Sequence, residues 1–475
     1  MTYETAIGLT MLAVMIAAIF LGFPISFTLL FLAFAFGWWG LGEIVFNLAY
    51  FQSIGLMKES LLAAVPLFIF MGFVAEQAGL MERLFAALRL LLAPVRGSLF
   101  IVVIVTAAAF AMATGIVGAA VTVLGIMAAP IMIRSGYDGQ LAAGAITAGG
   151  TLGILIPPSV MLIVMGPVLG VSVADLYAAA IVPGFMLAGL YVVYVTVRSF
   201  FNPKLGPALP KELRAPSVWS ALGAFAVGVL PLAGLVAATL GSILAGLATP
   251  TEAAGMGAAG ALVLAAAYRK LTWERFQRAL MQSLATSSMV LVLALTSNIF
   301  GAVFARLGAA DWITETLLAL PVPPGVMLAL VTVLVFLLGW PFEWPAVILV
   351  FLPIFYPVVS ELGVDLVWFG ALVAVTLQTA YLSPPVAMSA YYLKQVAKGW
   401  SLLTIYKGMF QFMGIQVVAI ALIFAFPAIA TWLPDYLFRS GALVVSEPPP
   451  ASSSQTYGET YEQMFQRSLQ GLEKQ

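Results

Sequence analysis

Chemistry in this chain has to be done with a narrow set of groups. There is no Cys and no His, which removes thiolate nucleophiles, disulfides, imidazole bases and nearly every transition-metal site. Carboxylates, hydroxyls, amides and backbone remain. One carboxylate stands apart: Glu343, in "GWPFEWP", is flanked by prolines within a long apolar stretch. Two further stretches place polar atoms where an apolar run is interrupted. "AGGTLGILIPPS" carries Gly149, Gly150, Thr151, Gly153, Pro157, Pro158 and Ser159, and "LQTAYLSPPVAMS" carries Gln378, Thr379, Ser383, Pro384 and Pro385. Glycine permits unusual dihedrals and proline removes a backbone donor, so both stretches leave carbonyl and N–H groups outside regular helix. Unwound carbonyls suit sodium, and the N-terminal ends of half-helices favour anions.

The elements that must hold these groups are membrane helices. The 475 residues are 63% hydrophobic and 8% charged, with a mean hydropathy of +1.08, where a soluble domain carries about 25% charged residues. A net charge of zero gives no electrostatic footprint for nucleic acid. The N-terminus has no basic region before apolar sequence begins at Ala6, so it reads as a retained helix rather than a cleaved signal. Apolar runs of about 20 residues, enough to span the bilayer, begin near Thr5, Ile25, Leu61, Leu141, Leu176, Trp219, Thr251, Ala279, Leu366 and Leu402. These give ten crossings in an all-α polytopic membrane protein. Residues 99–133 and 326–359 are too long for one span and too short for two, so each reads as a re-entrant hairpin. Their turns fall near Thr114 and Gly115 and near Glu343.

Depth within the membrane changes the weight of these residues. Broken backbone is tolerated there only where protein or a water-filled cavity surrounds it, so both interruptions point to a site, although Gly and Pro also simply kink membrane helices. Glu343 at a hairpin tip is a functional candidate by default; the plainer reading is a Glu in a wet vestibule. Asp138 and Asp365 precede crossings at water-facing ends and read as helix caps. Thr251 and Glu252 after Pro250 read as a helix start. The run Thr296, Ser297 and Asn298 either supports a site or joins helices.

Charge and self-similarity order the segments. With the N-terminus outside, the outer side receives Lys58, Arg306, Arg439, Arg467 and Lys474, and the other fifteen of the 20 basic residues fall inside, as the positive-inside rule favours. At a shift of 227 positions Pro130 meets Pro357, Gly136 meets Gly363, Asp138 meets Asp365, Pro157 and Pro158 meet Pro384 and Pro385, and Met161 meets Met388. "APVRG" at Ala93 meets "LPVPPG" at Leu320. Two homologous halves follow, 1–200 and 217–440, joined by a polar cytoplasmic linker over 201–216. Five crossings and one hairpin per half force the second half upside down, an inverted-topology repeat. Amphipathic stretches at 80–94 and 312–320 suit helices lying along opposite membrane surfaces and bracing a moving core. Residues 441–475 read as a flexible polar tail without chemistry.

Transport of a small solute suits this plan better than the alternatives. An intramembrane enzyme would need a dyad within a span, which Asp138 and Asp365 do not provide, and an ATP-driven pump would need a GxxxxGK[ST] segment, absent here. A channel suits oppositely oriented hairpins less well than alternating access does.

In "GYDGQLAAGAITAGGTLGILIPPSVMLIVMG", "LATPTEAAGMGA" and "LQTAYLSPPVAMSAYYLK" the chain resembles the large membrane subunit, or DctM-type permease, of the tripartite ATP-independent periplasmic (TRAP) transporters, from about Thr5 to Leu433. The resemblance implies an elevator-type ion-transporter fold and sodium-driven import of organic acids across a bacterial or archaeal cytoplasmic (inner) membrane. It implies two partners, a small membrane subunit of about four helices and an extracytoplasmic solute-binding protein, and no cofactor beyond sodium as coupling ion. It places sodium and substrate binding at Thr114, Gly115, Gly150, Thr151, Gly153, Pro157, Ser159, Glu343, Gln378, Thr379, Ser383 and Pro384. "TGIVGAA" has Ala119 and Ala120 where many relatives carry serines, leaving backbone carbonyls as ligands there. The tip and second-half motif are most similar to the branch associated with 2-oxo and hydroxy acids.

Overall fold

A computed structural model describes residues 2–115, 117–208, 218–384 and 387–439. Within them the chain is helical throughout. The first half runs α1 (Tyr3–Phe20), α2 (Ile25–Leu41), α3 (Ile44–Met57), α4 (Ala64–Gln77), α5 (Leu80–Leu92), α6 (Ser98–Thr114), α7 (Val117–Arg134), α8 (Gly139–Thr151), α9 (Val160–Leu169) and α10 (Val173–Phe201). The second runs α11 (Val218–Val236), which passes through a π turn into α12 (Ser242–Leu244), then α13 (Pro250–Ala267), α14 (Trp273–Arg306), α15 (Ala309–Leu318) and α16 (Pro324–Leu338). It ends with α17 (Trp344–Ala346), a π turn, α18 (Leu352–Glu361), α19 (Leu366–Thr376), α20 (Met388–Val396), α21 (Leu402–Ala425) and α22 (Ala428–Pro434).

Eight helical segments among the described residues are long and apolar enough to cross a bilayer. Six match expected crossings. The other two, Val117–Arg134 and Trp344–Glu361, fall within the stretches expected to form hairpins and are each long enough to cross on their own. The four remaining expected crossings fall short for identifiable reasons. Those at Leu141 and Leu366 are interrupted, the one at Ile25 is short, and α13 opens on the polar Pro250–Thr251–Glu252. The sequence reading also left α3 unassigned and started the crossing at Ala279, where α14 begins at Trp273 and includes Arg275 and Arg278.

Element boundaries repeat at the shift of 227. Val117–Arg134 maps onto Trp344–Glu361 end to end, Gly136 and Gly363 both take positive φ, and the repeated aspartates both cap. Asp138 accepts from the Leu141 amide at 2.8 Å, and Asp365 accepts from Val367 and Trp368 at 2.8 and 3.0 Å. The same shift carries α2 onto α13, and α3 with α4 onto the single long α14. Packing between halves is reciprocal: α4 packs on α13 and α2 on α14, α5 on α11 and α1 on α15, α8 on α21 and α10 on α19. Each pair exchanges roles under the shift, as a two-fold relation between halves requires. Thr249 caps α13 with Glu252 in a reciprocal capping box, so Pro250, Thr251 and Glu252 do form its first turn.

The linker is anchored at its start. The Gly97 amide donates to the Gly206 carbonyl at 2.8 Å and the Asp138 amide to Leu205 at 2.9 Å, tying residues after α10 to the base of the first hairpin. Residues 209–217 and the tail 441–475 lie outside the described residues.

The α8–α21 seam shows how closely the halves approach. A Cβ on Gly408 would collide with the Gln140 carbonyl, and one on Gly144 would lie 2.5 Å from the Phe412 ring. Gly408→Ala is expected to cost about 1–3 kcal/mol through overpacking and to lower the melting temperature of the purified protein. Gly414→Ala on the same helix, where nothing lies within 4 Å of the added carbon, is expected to leave it unchanged or raise it; equal behaviour of the two variants would refute this seam.

Candidate functional site

Four interrupted elements meet at one cavity of about 100 Å³. The first hairpin contributes Gly115, Val117 and Gly118; the first broken crossing, Ile154 and Val160. The second hairpin contributes Glu343, Trp344 and Pro345, and the second broken crossing Tyr381 and Tyr392, while α4 and α14 close the walls with Ile69, Thr286, Met289 and Val290.

Glycine allows the approach. Gly115 follows α6 at φ +60°, where an L side chain is strained, and its Cβ position lies 3.6 Å from the Val160 nitrogen and 3.7 Å from the Gly153 carbonyl oxygen. The first tip therefore rests on the first break. A Cβ on Gly339 would sit 3.1 Å from Ala380, so the second hairpin rests on the second break in the same way. Gly118 crosses between halves, with its Cβ position 3.0 Å from the Tyr392 ring on α20.

Backbone breaks lie where the motifs place them. The first crossing tightens from α8 into a 3-10 turn at Leu152–Ile154, passes Pro157 and Pro158 through a cis bond, and restarts at Val160. The Ser159 hydroxyl spans the break, donating to the Ile154 carbonyl at 2.5 Å, and the Tyr177 hydroxyl donates to the Ser159 carbonyl at 3.3 Å. The second crossing tightens at Leu377–Tyr381 and restarts at Met388.

Helix starts dominate the cavity wall. Val117, Val160 and Trp344 are the first residues of α7, α9 and α17, and their N-termini carry partial positive charge. Among the described residues, Glu343 is the only charged side chain in the lining. Its carbonyl begins the following helix, accepting from Ala346 at 3.1 Å and Val347 at 3.2 Å, but its carboxylate makes no cap bond. That separates it from Asp138 and Asp365, whose carboxylates are spent on caps.

The remaining candidates divide. Gly115 and Glu343 line the cavity, with Gly153 and Ser159 directly behind the first tip. Gly150 faces Val121 of α7, where a Cβ would collide, so it serves close packing rather than the cavity. Thr151 bonds the Ala148 carbonyl, Thr379 bonds Thr376, and Ser383 bonds Thr379, each within its own turn. Pro157 is buried in the break and Pro384 half-buried at the other. Gln378 is fully buried, and neither amide atom has a hydrogen-bond partner among the described residues. Thr114 ends α6, with its side chain outside the described residues. Thr296 and Ser297 are buried in α14 away from the cavity. Sequence reasoning passed over Thr286, Tyr381 and Tyr392; the first lies in "ATSSMV", a polar run in an apolar helix that carried the signal.

Paired broken helices around one shared cavity, in a chain with this many apolar helices, define a polytopic membrane transporter. Comparison with known proteins places it: residues 12–429 match the family described as tripartite ATP-independent periplasmic transporter, DctM component, and the chain belongs to that family. It is 28% identical to the C4-dicarboxylate TRAP transporter large permease protein DctM of Rhodobacter capsulatus, over 90% of this chain and 99% of that one. It is 29% identical to the sialic acid large permease protein SiaM of Vibrio cholerae, over 89% and 97%, and 30% identical to DctM of Pseudomonas aeruginosa, over 80% and 87%. These relatives are permeases, not enzymes. In fold the chain is similar to the YdaH transporter of Alcanivorax borkumensis, with a TM-score of 0.60 at 17% identity, covering 83% of this chain and 90% of that one.

Proposed function

We propose that this chain is the membrane-spanning large subunit of a sodium-coupled importer of small organic acids, working in the bacterial inner membrane with a small membrane subunit and an extracytoplasmic solute-binding protein. The observation that carries the reading is the convergence of three helix N-termini and one uncapped carboxylate on a single cavity. The N-termini favour a carboxylate. The carboxylate of Glu343 and the unwound carbonyls favour a hard cation, so an acid and its coupling ion suit the same place. Gly115, Gly153 and Ser159 at the first break, and Glu343 and Gln378 at the second, are the groups that would hold ion and solute. Relatives named for C4-dicarboxylates, sialic acid and isethionate all handle organic anions; the motif resemblance favours 2-oxo or hydroxy acids for this chain.

The reciprocal packing of the halves supports an inverted repeat with re-entrant hairpins. In that arrangement the core of hairpins and broken crossings slides against α4, α14 and their neighbours, with α5 and α15 as arms, each entered through a left-handed glycine, Gly79 or Gly308. Because the chain has no Cys, single-Cys labelling tests the orientation. Cys placed within 201–208 is expected to resist an impermeant maleimide added to intact cells; labelling from outside would overturn the map.

The function itself is tested in proteoliposomes holding this chain and its small subunit, with labelled pyruvate and labelled succinate as probes. Uptake is expected only with an inward sodium gradient and added binding protein. Equal uptake on a proton gradient alone, or without the binding protein, would overturn the proposal.

A further inference from the structure

A second cavity, of about 440 Å³, opens farther along the same two helices that wall the first. On α7 the lining moves from Val117 and Gly118 to Val123, and on α14 from Thr286, Met289 and Val290 to Arg278 and Arg275. At 1.5 Å per residue these steps are about 8 and 12 Å. Both lead toward the end of the molecule where basic residues collect, because α7 runs away from its hairpin tip and α14 starts from the loop holding Lys270.

We propose that this cavity is a release vestibule in which Arg83, Lys270, Arg275 and Arg278 bind the carboxylate of the organic acid after it leaves the inner site; the proposal rests on the organic-acid reading above. The two cavities have opposite electrostatics. Among the described residues the inner one has Glu343 as its only charge, whereas the outer one is lined by four cations against two carboxylates, Glu76 and Glu82.

The cations keep donors to spare. The Arg83 guanidinium lies 4.0 Å over the Tyr268 ring, a contact that orients the group without using its N–H groups. Arg275 spends one nitrogen on the Gln77 carbonyl at 3.3 Å. Arg278 pairs with Glu274 at 2.7 Å, but the two side chains are 53% and 81% exposed, where such a pair contributes little. Lys270 is exposed and has no ion pair among the described residues. Glu76, with one carboxylate oxygen buried and unpartnered among the described residues, and Glu82 oppose tight retention. A station on an exit route needs that balance, attractive enough to draw the anion from Glu343 and weak enough to release it.

The test uses the complete complex in proteoliposomes of neutral phosphatidylcholine, with and without added phosphatidylglycerol. In exchange assays with pyruvate or succinate as the internal probe, the R275Q/R278Q double variant is expected to raise the half-saturation for internal acid about tenfold and leave the external value unchanged. R275K/R278K is expected to restore most of the loss. Independently, pyruvate is expected to protect Arg275 and Arg278 from phenylglyoxal, read by mass spectrometry, in both lipid compositions. Uptake with an unchanged internal half-saturation overturns the vestibule, as does protection that follows phosphatidylglycerol and ignores pyruvate, which would make it a lipid headgroup site. Protection without any uptake of either probe would sink the organic-acid importer while leaving an anion site in place.

Discussion

Glu343→Gln is expected to reduce sodium-driven uptake by about 30-fold or more while leaving the purified protein as stable as the parent, or more so. The carboxylate lines the cavity and makes neither a cap bond nor an ion pair among the described residues. Holding an ionised acid at membrane depth costs about 2.5–3.5 kcal/mol on insertion scales, and among the described residues only the partial charges of the helix N-termini, not a cap bond or an ion pair, stand against that cost. Neutralising the side chain removes that cost from the empty protein. If the charge serves a bound cation, the same change removes a charge-assisted contact of about 1.5–3 kcal/mol, which at 1.4 kcal/mol per tenfold is a factor of about 10 to 150. Stability and transport thus move in opposite directions, which a merely structural Glu would not produce. Sodium titration of uptake, with thermal melting of the same preparation, reads both. Parental uptake kinetics and sodium dependence in the variant would exclude Glu343 from the site.

How much of this was legible before folding depended on whether the signal was local. Helix breaks follow from glycine and proline in the chain itself, so "GGTLGILIPPS" and "QTAYLSPP" marked both interruptions. The caps at Asp138 and Asp365 needed only the residue and its position. What depends on a partner did not show. Gly150 looked like a site residue because it sits in the broken motif, yet its bare Cα serves the approach of Val121, on a different helix earlier in the sequence. Tyr392 reaches the cavity from a helix whose own pattern reads as ordinary core, whereas Thr286 sits in the polar run "ATSSMV", a local signal that does not by itself point to a partner across the cavity. The repeat was visible from Pro94 onward, where turn residues are kept, and invisible in α2, α3 and α4, whose apolar side chains are interchangeable with those of α13 and α14. Helix α3 escaped notice because "IVFNLAYFQSIGLM" is 14 residues long and carries Asn, Gln and Ser, too short and too polar to read as a span.

Gln378→Met is expected to raise the melting temperature of the purified protein by a few degrees and to raise the sodium concentration for half-maximal uptake at least tenfold. Gln378 sits in the 3-10 turn of the second break, fully buried, with neither its amide oxygen nor its nitrogen partnered among the described residues. A buried polar group left unbonded costs about 1–3 kcal/mol, and methionine fills a similar unbranched volume without that cost. Neighbouring hydroxyls make different use of their atoms, since Thr379 and Ser383 both bond back to their own turn. In the 227-residue register the position opposite Gln378 is Thr151, which also satisfies itself locally, through the Ala148 carbonyl at 2.8 Å. The second half has therefore placed a longer side chain, with a free carbonyl oxygen, where the first half has a closed turn. An asymmetry of that kind is what a ligand bound at only one of two related breaks requires. Should Gln378→Met stabilise the protein and leave the sodium dependence untouched, the amide is a packing defect and the coupling ion is held elsewhere.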